Sequence, residues 1–199
     1  MLPIKTAALA LLVTASAIAP SAHAGGVDEV IKSGVLRACT PGDYKPFSFA
    51  KPDGTYEGID VDLMQSLAAS LGVKVEYVKT TWANLIADFT ANKCDIAVGG
   101  ISVTLDRQKR VGFSNAYMVN GKTPLVRCAD VKRFQTVADI DKADVKVIAN
   151  PGGSNERFAR ANFKAAKLTI HPDNLGIFDG GRKGKAAGLG APPNTAGAV

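Results

Sequence analysis

The sequence predicts an α/β fold with two lobes, each built on a mostly parallel sheet that is flanked by helices. Short apolar runs of strand length alternate with longer segments whose apolar residues recur at helical spacing, the pattern of covered parallel sheets. The alternation restarts after residue 122, which indicates a second unit. Two stretches, at 101–107 and 150–156, each follow a strand-like run and open a helix-like one. Each unit is therefore expected to present one anion-binding loop.

The first lobe is assigned to residues 25–122. Gly34 is expected to end a short helix, Gly72 to close an amphipathic one, and Thr81 to cap a third. Asp53 and Gly54 form a strong hairpin signal. The strands are predicted at 35–39, 47–50, 55–59, 73–78 and 96–98, and the helices at 27–33, 61–71 and 82–91.

The second lobe is assigned to residues 123–179. Its strands are predicted at 123–128, 145–149 and 168–171, and its helices at 137–140, 154–163 and 175–178. Residues 180–199 contain six Gly, five Ala and two Pro without an acidic residue or a periodic pattern, so we expect a disordered tail. The second lobe is then incomplete, because its sheet has few strands and its last helix stops after one turn.

The first 24 residues are typical of an export signal. Lys5 supplies a positive start, residues 7–19 form an apolar run too short to cross a bilayer, and residues 22–24 (AHA) fit a cleavage site. A buried N-terminal helix or a retained anchor is the alternative. The sequence therefore predicts cleavage after Ala24 and a soluble protein in the periplasm.

The formal net charge of +6 does not indicate a nucleic-acid partner. Lys5, Arg182, Lys183 and Lys185 lie in the signal or in the tail, so residues 25–179 are close to neutral. The sequence also has no basic segment with interleaved aromatic residues, and we expect no nucleic-acid binding.

The cysteines and histidines predict neither a metal site nor a disulfide. No two of Cys39, Cys94 and Cys128 have metal-ligand spacing, and removal of His23 with the signal leaves His171 alone. Cys39 falls at the end of one predicted strand and Cys94 at the start of another. Such ends lie far apart in a parallel sheet, so buried free thiols are expected.

The candidate ligand-binding residues follow the carboxyl ends of four predicted strands, where open α/β sheets bind their ligands. They comprise an aromatic wall, a carboxylate clamp and a second anion site at a helix start. The wall holds Tyr44 and Trp82, with Asp43 as a further candidate beside them. The clamp holds Ser102, Thr104 and Arg107, and the second site holds Asn150, Gly153 and Ser154. An Arg beside two hydroxyl residues suits bidentate binding of a carboxylate. The arrangement predicts two lobes that close on a small carboxylate.

Each of these assignments has a structural alternative. Arg107 could lie on a solvated helix face, and Tyr44 and Trp82 could be core aromatics. The glycines before Ser154 could serve as a helix cap without binding an anion. Lys122 fits a surface lysine and a cleft residue equally well.

Two further titratable residues are not expected to act as acids or bases. His171 fits a structural role at a strand end better than acid–base chemistry. Glu156 stands in the first turn of its helix, where the dipole favours the carboxylate and makes it a poor general acid.

Eight motifs together resemble the periplasmic solute-binding proteins of family 3, the polar amino-acid-binding type with the type II periplasmic-binding fold. Within that family the sequence is most similar to the cyclohexadienyl dehydratases. The motifs are GDYKPFS (42–48), GIDVD (58–62), TW (81–82), GISVTLDRQ (100–108), GKTP (121–124), RFQT (133–136), NPGGSNE (150–156) and HPDN (171–174). The segments at 58–62 and 102–107 are shared across the family, and the others are more specific.

The resemblance implies a lyase without a cofactor, which converts prephenate or arogenate to phenylpyruvate or phenylalanine with loss of water and carbon dioxide. No catalytic residue is assigned by the resemblance, and Lys122 and Asn150 are the candidates that this sequence offers. The family's general acid is a Glu in a Thr-Asp-Ala-x-Glu segment that follows a stretch corresponding to residue 178, and this sequence has no match to it. The resemblance therefore implies a truncated or frameshifted reading after about Asp179, and an inactive chain.

A transport receptor is the alternative that the resemblance leaves open. Such a receptor would bind an amino acid or another carboxylate and deliver it to the permease of an ABC transporter. It would share the fold, the location and the carboxylate clamp with the dehydratase. A structural or nucleic-acid-binding protein is disfavoured by the near-neutral core and the cleft residues.

Overall fold

The computed structural model describes residues 25–119, 121–182 and 187–190. The predicted signal at residues 1–24 lies outside the described residues. None of the helices in the described ranges combines the length and the apolar character that a membrane span requires.

The first lobe contains a parallel sheet, an antiparallel meander and four helices. The strands are β1 (Val35–Thr40), β2 (Asp43–Tyr44), β3 (Ser48–Ala50), β4 (Tyr56–Glu57), β5 (Lys74–Lys79) and β6 (Ile96–Ala97). The helices are α1 (Gly25–Ser33), α2 (Ile59–Leu71), α3 (Leu85–Thr90) and α4 (Leu105–Gln108). The parallel sheet has the order β5-β1-β6, and β2, β3 and β4 form the meander. The predicted hairpin at Asp53 and Gly54 joins β3 to β4.

Helices cover both faces of the parallel sheet, as the alternation predicted. On one face Val30 of α1 and Met64 and Ala68 of α2 pack against Leu36 and Ala38 of β1. Each large apolar side chain buried there contributes about 1.5–3 kcal/mol. On the other face α3 packs against β1. Helix α2 ends at Gly72, which has the left-handed conformation with a φ of +70°, as predicted.

The expectation of free buried thiols was wrong, because Cys39 and Cys94 form a disulfide with their Cα atoms 5.6 Å apart. The pairing of Cys39 with Ala97 fixes the end of β1 beside β6. Cys94 precedes that short strand, and the chain there turns onto the α3 face, where Cys94 packs with Cys39 and Leu85. The two ends lie close because β6 has only two residues, so its start falls beside the end of β1. Cys128 is free and exposed.

The second lobe is a four-stranded mixed sheet with helices. Its strands are β7 (Thr123–Leu125), β8 (Lys146–Ala149), β9 (Lys167–Ile170) and β10 (Ala187–Gly190), and its helices are α5 (Val137–Ile140), α6 (Ser154–Asn162) and α7 (Gly176–Arg182). The order is β7-β10-β8-β9, with β8 parallel to both neighbours and β7 antiparallel to β10. Val147 and Ala149 of β8 lie in a core with Ala159 and Phe163.

In the first lobe α3 begins only at Leu85, with Asn84 instead of Thr81 as its N-cap. Apart from shifts of one residue, the second lobe differs from its predicted elements in three places. The connecting strand ends at Leu125, and a 3₁₀ helix occupies Cys128–Arg133. Helix α7 extends to Arg182 instead of ending after one turn. Ala187–Gly190 forms a strand, although residues 180–199 were expected to have no regular structure. Backbone hydrogen bonds to β7 and β8 place this strand, and such bonds need no side-chain periodicity. The lobe boundaries remain predictions.

Candidate functional site

Two adjoining cavities lie between the two lobes. Their volumes are about 450 Å³ and about 30 Å³. Five residues line both cavities: Tyr44, Gly100, Ser102, Lys122 and Ser154. The larger cavity extends along residues 113–119 of the first lobe, and the smaller one reaches the start of α6. A volume of a few hundred Å³ is in the range of small-molecule sites.

The aromatic wall of the smaller cavity is formed by Tyr44 and Trp82, whose rings meet edge to face with centroids 5.8 Å apart. Burial raises the pKa of Tyr44 to about 12, so its phenol stays protonated near neutral pH. Both predicted wall residues therefore face the cleft rather than only the core.

Asp43 holds this wall in place but lines neither cavity. Its Oδ1 accepts a hydrogen bond of 2.8 Å from Trp82 Nε1, and its carbonyl oxygen accepts one of 3.0 Å from Asn174 Nδ2 of the second lobe. Burial chiefly raises the pKa of Asp43. The structure thus places Asp43 behind Trp82, as the acceptor that orients the indole and joins the lobes.

The carboxylate clamp is built around Arg107, which is only 4% exposed. The interpretation of Arg107 as part of a solvated helix face is therefore wrong. Its Nη1 donates to the Ser102 carbonyl at 2.8 Å, and Thr104 Oγ1 caps α4 by accepting from the Arg107 N–H at 3.4 Å. Burial, with the charge of Arg157, lowers the pKa of Arg107. Ser102 and Thr104 line the larger cavity, and Arg107 lies behind them.

The second predicted anion site forms where β8 leads into α6. Asn150 is buried, and its Oδ1 accepts a hydrogen bond of 3.0 Å from Asn155 Nδ2. Gly153 is the N-cap of α6, and Asn150, Gly153 and Ser154 all line the smaller cavity. Ser154 Oγ lies 3.5 Å from Ser102 Oγ, so the two predicted anion sites meet across the cleft.

Lys122 lies at the cleft and combines features of its two interpretations, because it is exposed and also lines both cavities. Its ammonium donates to Ser154 Oγ at 2.8 Å and to Asn155 Oδ1 at 2.5 Å. Although the residue as a whole is exposed, its ammonium is partly desolvated by these contacts. Desolvation, followed by the charges of Arg107 and Arg157, lowers the pKa of Lys122 to about 8.

The lining of the two cavities carries positive charge without negative charge. No Asp or Glu within the described ranges lines either cavity. Lys122 stands among hydroxyl and amide groups, with Arg107 close behind. Such a site attracts anions, because hydrogen bonds to ionised groups are the stronger ones.

Glu156 and His171 serve the local structure instead of the cleft. Glu156 Oε2 accepts a hydrogen bond of 2.6 Å from the Gly152 N–H, and Glu156 pairs with Arg160. The Gly152 N–H is the main cause that lowers the pKa of Glu156, so this carboxyl is a poor proton donor. His171 Nδ1 lies 2.8 Å from the Asp173 carbonyl within its own loop. No three potential metal-ligating side chains are grouped in the part of the chain that the structure describes.

Asp60 and Tyr117 are site residues that the sequence analysis missed. Asp60 Oδ2 accepts from the N–H groups of Gly99 and Gly100, each at 2.7 Å, and Oδ1 accepts from the Tyr117 hydroxyl at 2.6 Å. Tyr117 lines the larger cavity. Only the position of Asp60 in the GIDVD motif (58–62) could have suggested it, and that motif was assigned to the family as a whole.

Comparison with known proteins gives consistent matches. The family model described as bacterial extracellular solute-binding proteins, family 3, matches residues 36–171. Cyclohexadienyl dehydratase of Pseudomonas aeruginosa is 49% identical over 180 residues, which cover 90% of this chain and 66% of that protein. The chain thus spans just under two thirds of the length of this curated relative.

Two solved structures share the fold. The ancestral amino acid-binding protein AncCDT-1, a precursor of cyclohexadienyl dehydratase, aligns with a TM-score of 0.77 and 40% identity, over 81% of this chain and 72% of that one. The arginine-bound form of a truncated ArgBP from T. maritima aligns with a TM-score of 0.76 and 28% identity, over 86% and 79% of the two chains. Both are similar along most of the present chain.

Proposed function

The chain belongs to the bacterial extracellular solute-binding proteins of family 3, and on that premise we propose that it is a cyclohexadienyl dehydratase-type protein that binds prephenate between its lobes. The similarity to the dehydratase of Pseudomonas aeruginosa supports this choice within the family. Dehydration of arogenate belongs to the same reaction class.

The observation that carries the proposal is the charge of the cleft. Ser102 backed by Arg107 offers one anion-binding position, and Lys122 with Ser154 at the start of α6 offers a second. Prephenate carries two carboxylates, which suits two such positions. Because no described carboxyl side chain lines either cavity, the cleft favours prephenate over arogenate, whose ammonium would need an acidic partner.

The reaction needs a proton at the ring hydroxyl of the substrate. The ring carboxylate leaves as carbon dioxide, its electron pair completes the aromatic ring, and the ring C–O bond breaks as the hydroxyl takes a proton and departs as water. The sequence lacks the Glu that donates this proton in the family. Lys122, with a pKa of about 8, and the Tyr44 phenol both hold a proton at neutral pH and line the cleft, and Lys122, with the lower pKa of the two, is the candidate donor in its place. Asn150 would orient the substrate through its amide.

The protein is proposed to act in the periplasm after removal of residues 1–24. The family is extracellular, and the Cys39–Cys94 disulfide is of the kind that persists in oxidising compartments.

A transport receptor is the second candidate. It is favoured by the likeness to AncCDT-1 and to arginine-bound ArgBP, both named as binding amino acids or arginine. In that case the clamp of Ser102 and Arg107 would hold the α-carboxylate, and an ABC permease would be the partner.

One experiment separates the candidates. The purified chain is titrated with prephenate, arogenate and L-arginine while the fluorescence of Trp82, the only tryptophan, is recorded, and prephenate turnover is followed by phenylpyruvate absorbance. We expect binding of prephenate in preference to the two ammonium-bearing ligands. Tight binding of arginine without binding of prephenate would establish the receptor and contradict the dehydratase-type site.

A further inference from the structure

Asp60 is a buried carboxylate without a cationic partner. It is 4% exposed, and no ion pair among the described residues includes it. Burial of an unpaired charge is costly, so the three short hydrogen bonds to its two oxygens must offset much of the loss of water. Its place in the first turn of the 13-residue helix α2 adds a favourable helix dipole.

The contacts of Asp60 join three separate stretches of the cavity lining. Its backbone N–H donates to the Phe47 carbonyl at 3.0 Å, and its carboxylate binds the Gly99–Gly100 turn and the Tyr117 hydroxyl. The rings of Phe47 and Tyr117 both line the larger cavity, with centroids 6.4 Å apart. Asp60 therefore lies behind the point at which these stretches meet.

The glycine turn has no side chains of its own to fix its direction. Gly99 and Gly100 have φ angles of +126° and +68°, conformations that favour glycine. A Cβ on Gly100 would lie 2.6 Å from a ring carbon of Phe47 and 2.8 Å from one of Tyr44, so the turn is pressed against the aromatic wall. The carboxylate of Asp60 is what aims both N–H groups, and Ser102 follows two residues later.

We propose that Asp60 is a positioning residue of the ligand site, which holds Ser102 of the carboxylate clamp and Tyr117 of the larger cavity's lining in one fixed arrangement. A bound ligand then contacts the anion-binding hydroxyl of Ser102 and the aromatic ring of Tyr117 in a fixed relative position. The part that concerns a ring-bearing carboxylate rests on the proposed function. The part that concerns the orientation of the glycine turn and of Ser102 does not.

The test compares Asp60→Asn with Asp62→Asn, a matched control that removes the same charge from an exposed position in the same helix turn. An amide cannot accept from both glycine N–H groups and from Tyr117 as the carboxylate does. At a temperature where urea titration shows both variants fully folded, we expect Asp60→Asn to weaken prephenate binding about tenfold and Asp62→Asn less than about twofold.

A double-mutant cycle separates positioning from simple stability. Because Asp60 acts partly through Tyr117, the loss of prephenate affinity in the double variant Asp60→Asn/Tyr117→Phe should be clearly smaller than the sum of the losses in the two single variants. Equal affinities in Asp60→Asn and Asp62→Asn, or strictly additive losses, would overturn the inference.

Amide hydrogen exchange keeps the inference testable if the proposed function fails. If the wild-type chain binds no prephenate, the proposed function is contradicted, and the exchange rates of Gly99, Gly100 and Ser102 decide on the positioning alone. Faster exchange at these three amides in Asp60→Asn than in Asp62→Asn supports the inference, and equal rates refute it.

Discussion

Substitution of Gly152 by alanine should prevent the lobes from closing fully, with little effect on either lobe alone. A Cβ at this position would lie 2.5 Å from the Cβ and 2.6 Å from the Cα of Ala83, in the opposite lobe. Ordinary carbon contacts need about 3.5–4.0 Å, so the loop must withdraw by roughly 1 Å. Both clashing partners are backbone or the first side-chain atom, so a rotamer change cannot relieve the clash.

The size of the effect follows from the bonds that such a withdrawal breaks. The Asn174 Nδ2 bond to the Asp43 carbonyl, at 3.0 Å, and the approach of Ser102 Oγ to Ser154 Oγ, at 3.5 Å, both cross the cleft. Loss of two such bonds costs about 2 kcal/mol, or roughly 30-fold in ligand affinity.

Gly34→Ala is the matched control, because Gly34 and Gly152 both have a φ of +73° but nothing lies within 4 Å of a Cβ at Gly34. Both variants should lose about 1–2 kcal/mol of unfolding free energy from backbone strain. Only Gly152→Ala should lose affinity for prephenate. The affinity is measured by calorimetry, because the substitution would disturb Ala83 and with it the fluorescence of the adjacent Trp82. Unchanged affinity in Gly152→Ala at a stability equal to that of Gly34→Ala would refute the reasoning.

Two further predictions follow from the cleft and from the first lobe. Lys122→Met should weaken prephenate binding roughly tenfold or more in a fluorescence titration, because a charge-assisted contact is lost, whereas Lys132→Met in the exposed 3₁₀ helix should not. Equal losses in the two variants would contradict a cleft role for Lys122. The Cys39–Cys94 disulfide closes a separation of 55 residues, so the double alanine variant should lose about 4 kcal/mol in urea unfolding. Denatured, unreduced protein should show one reactive thiol, from Cys128, and a count of three would disprove the bond.

The sequence predicted the elements whose signals are local. Helix α2 shows its apolar spacing and its closing glycine, and α5 was predicted at the four residues where it occurs. The residues that cluster in the cleft were found because strand ends of an α/β sheet share one edge. That rule brought Tyr44, Trp82 and Ser102 together without any knowledge of side-chain contacts.

The features that were missed depend on the path of the chain between elements. The disulfide forms because the chain at Cys94 turns onto the α3 face beside Cys39. Strand β10 forms because β7 and β8 leave a position between them in which it can pair with both. In the sequence, Asp60 is simply an acidic residue in the first turn of a helix. Acidic residues are common there because they stabilise the helix dipole, so the position alone did not indicate a role in the site. Its partners Gly99 and Tyr117 are 39 and 57 residues away, and no local pattern encodes such a contact.

The excess of positive charge in the free cleft couples ligand binding to protonation. The pKa of Lys122 is about 8 in the free protein, well below the usual value for lysine of about 10.4, so at pH 8 about half of the molecules carry a neutral amine. A bound dicarboxylate adds an attraction that opposes the desolvation of Lys122 and its repulsion from Arg107 and Arg157, so we expect it to raise the pKa of Lys122.

Binding at pH 8 should therefore take up about half a proton, and binding at pH 6.5 almost none. Titration calorimetry in two buffers of different ionisation enthalpy measures this uptake directly. Lys122→Met should abolish it, while Lys132→Met should preserve it. If the wild-type chain bound prephenate at pH 8 with no net proton uptake, no ligand carboxylate would pair with Lys122, and the carboxylate positions inferred for the cleft would be wrong.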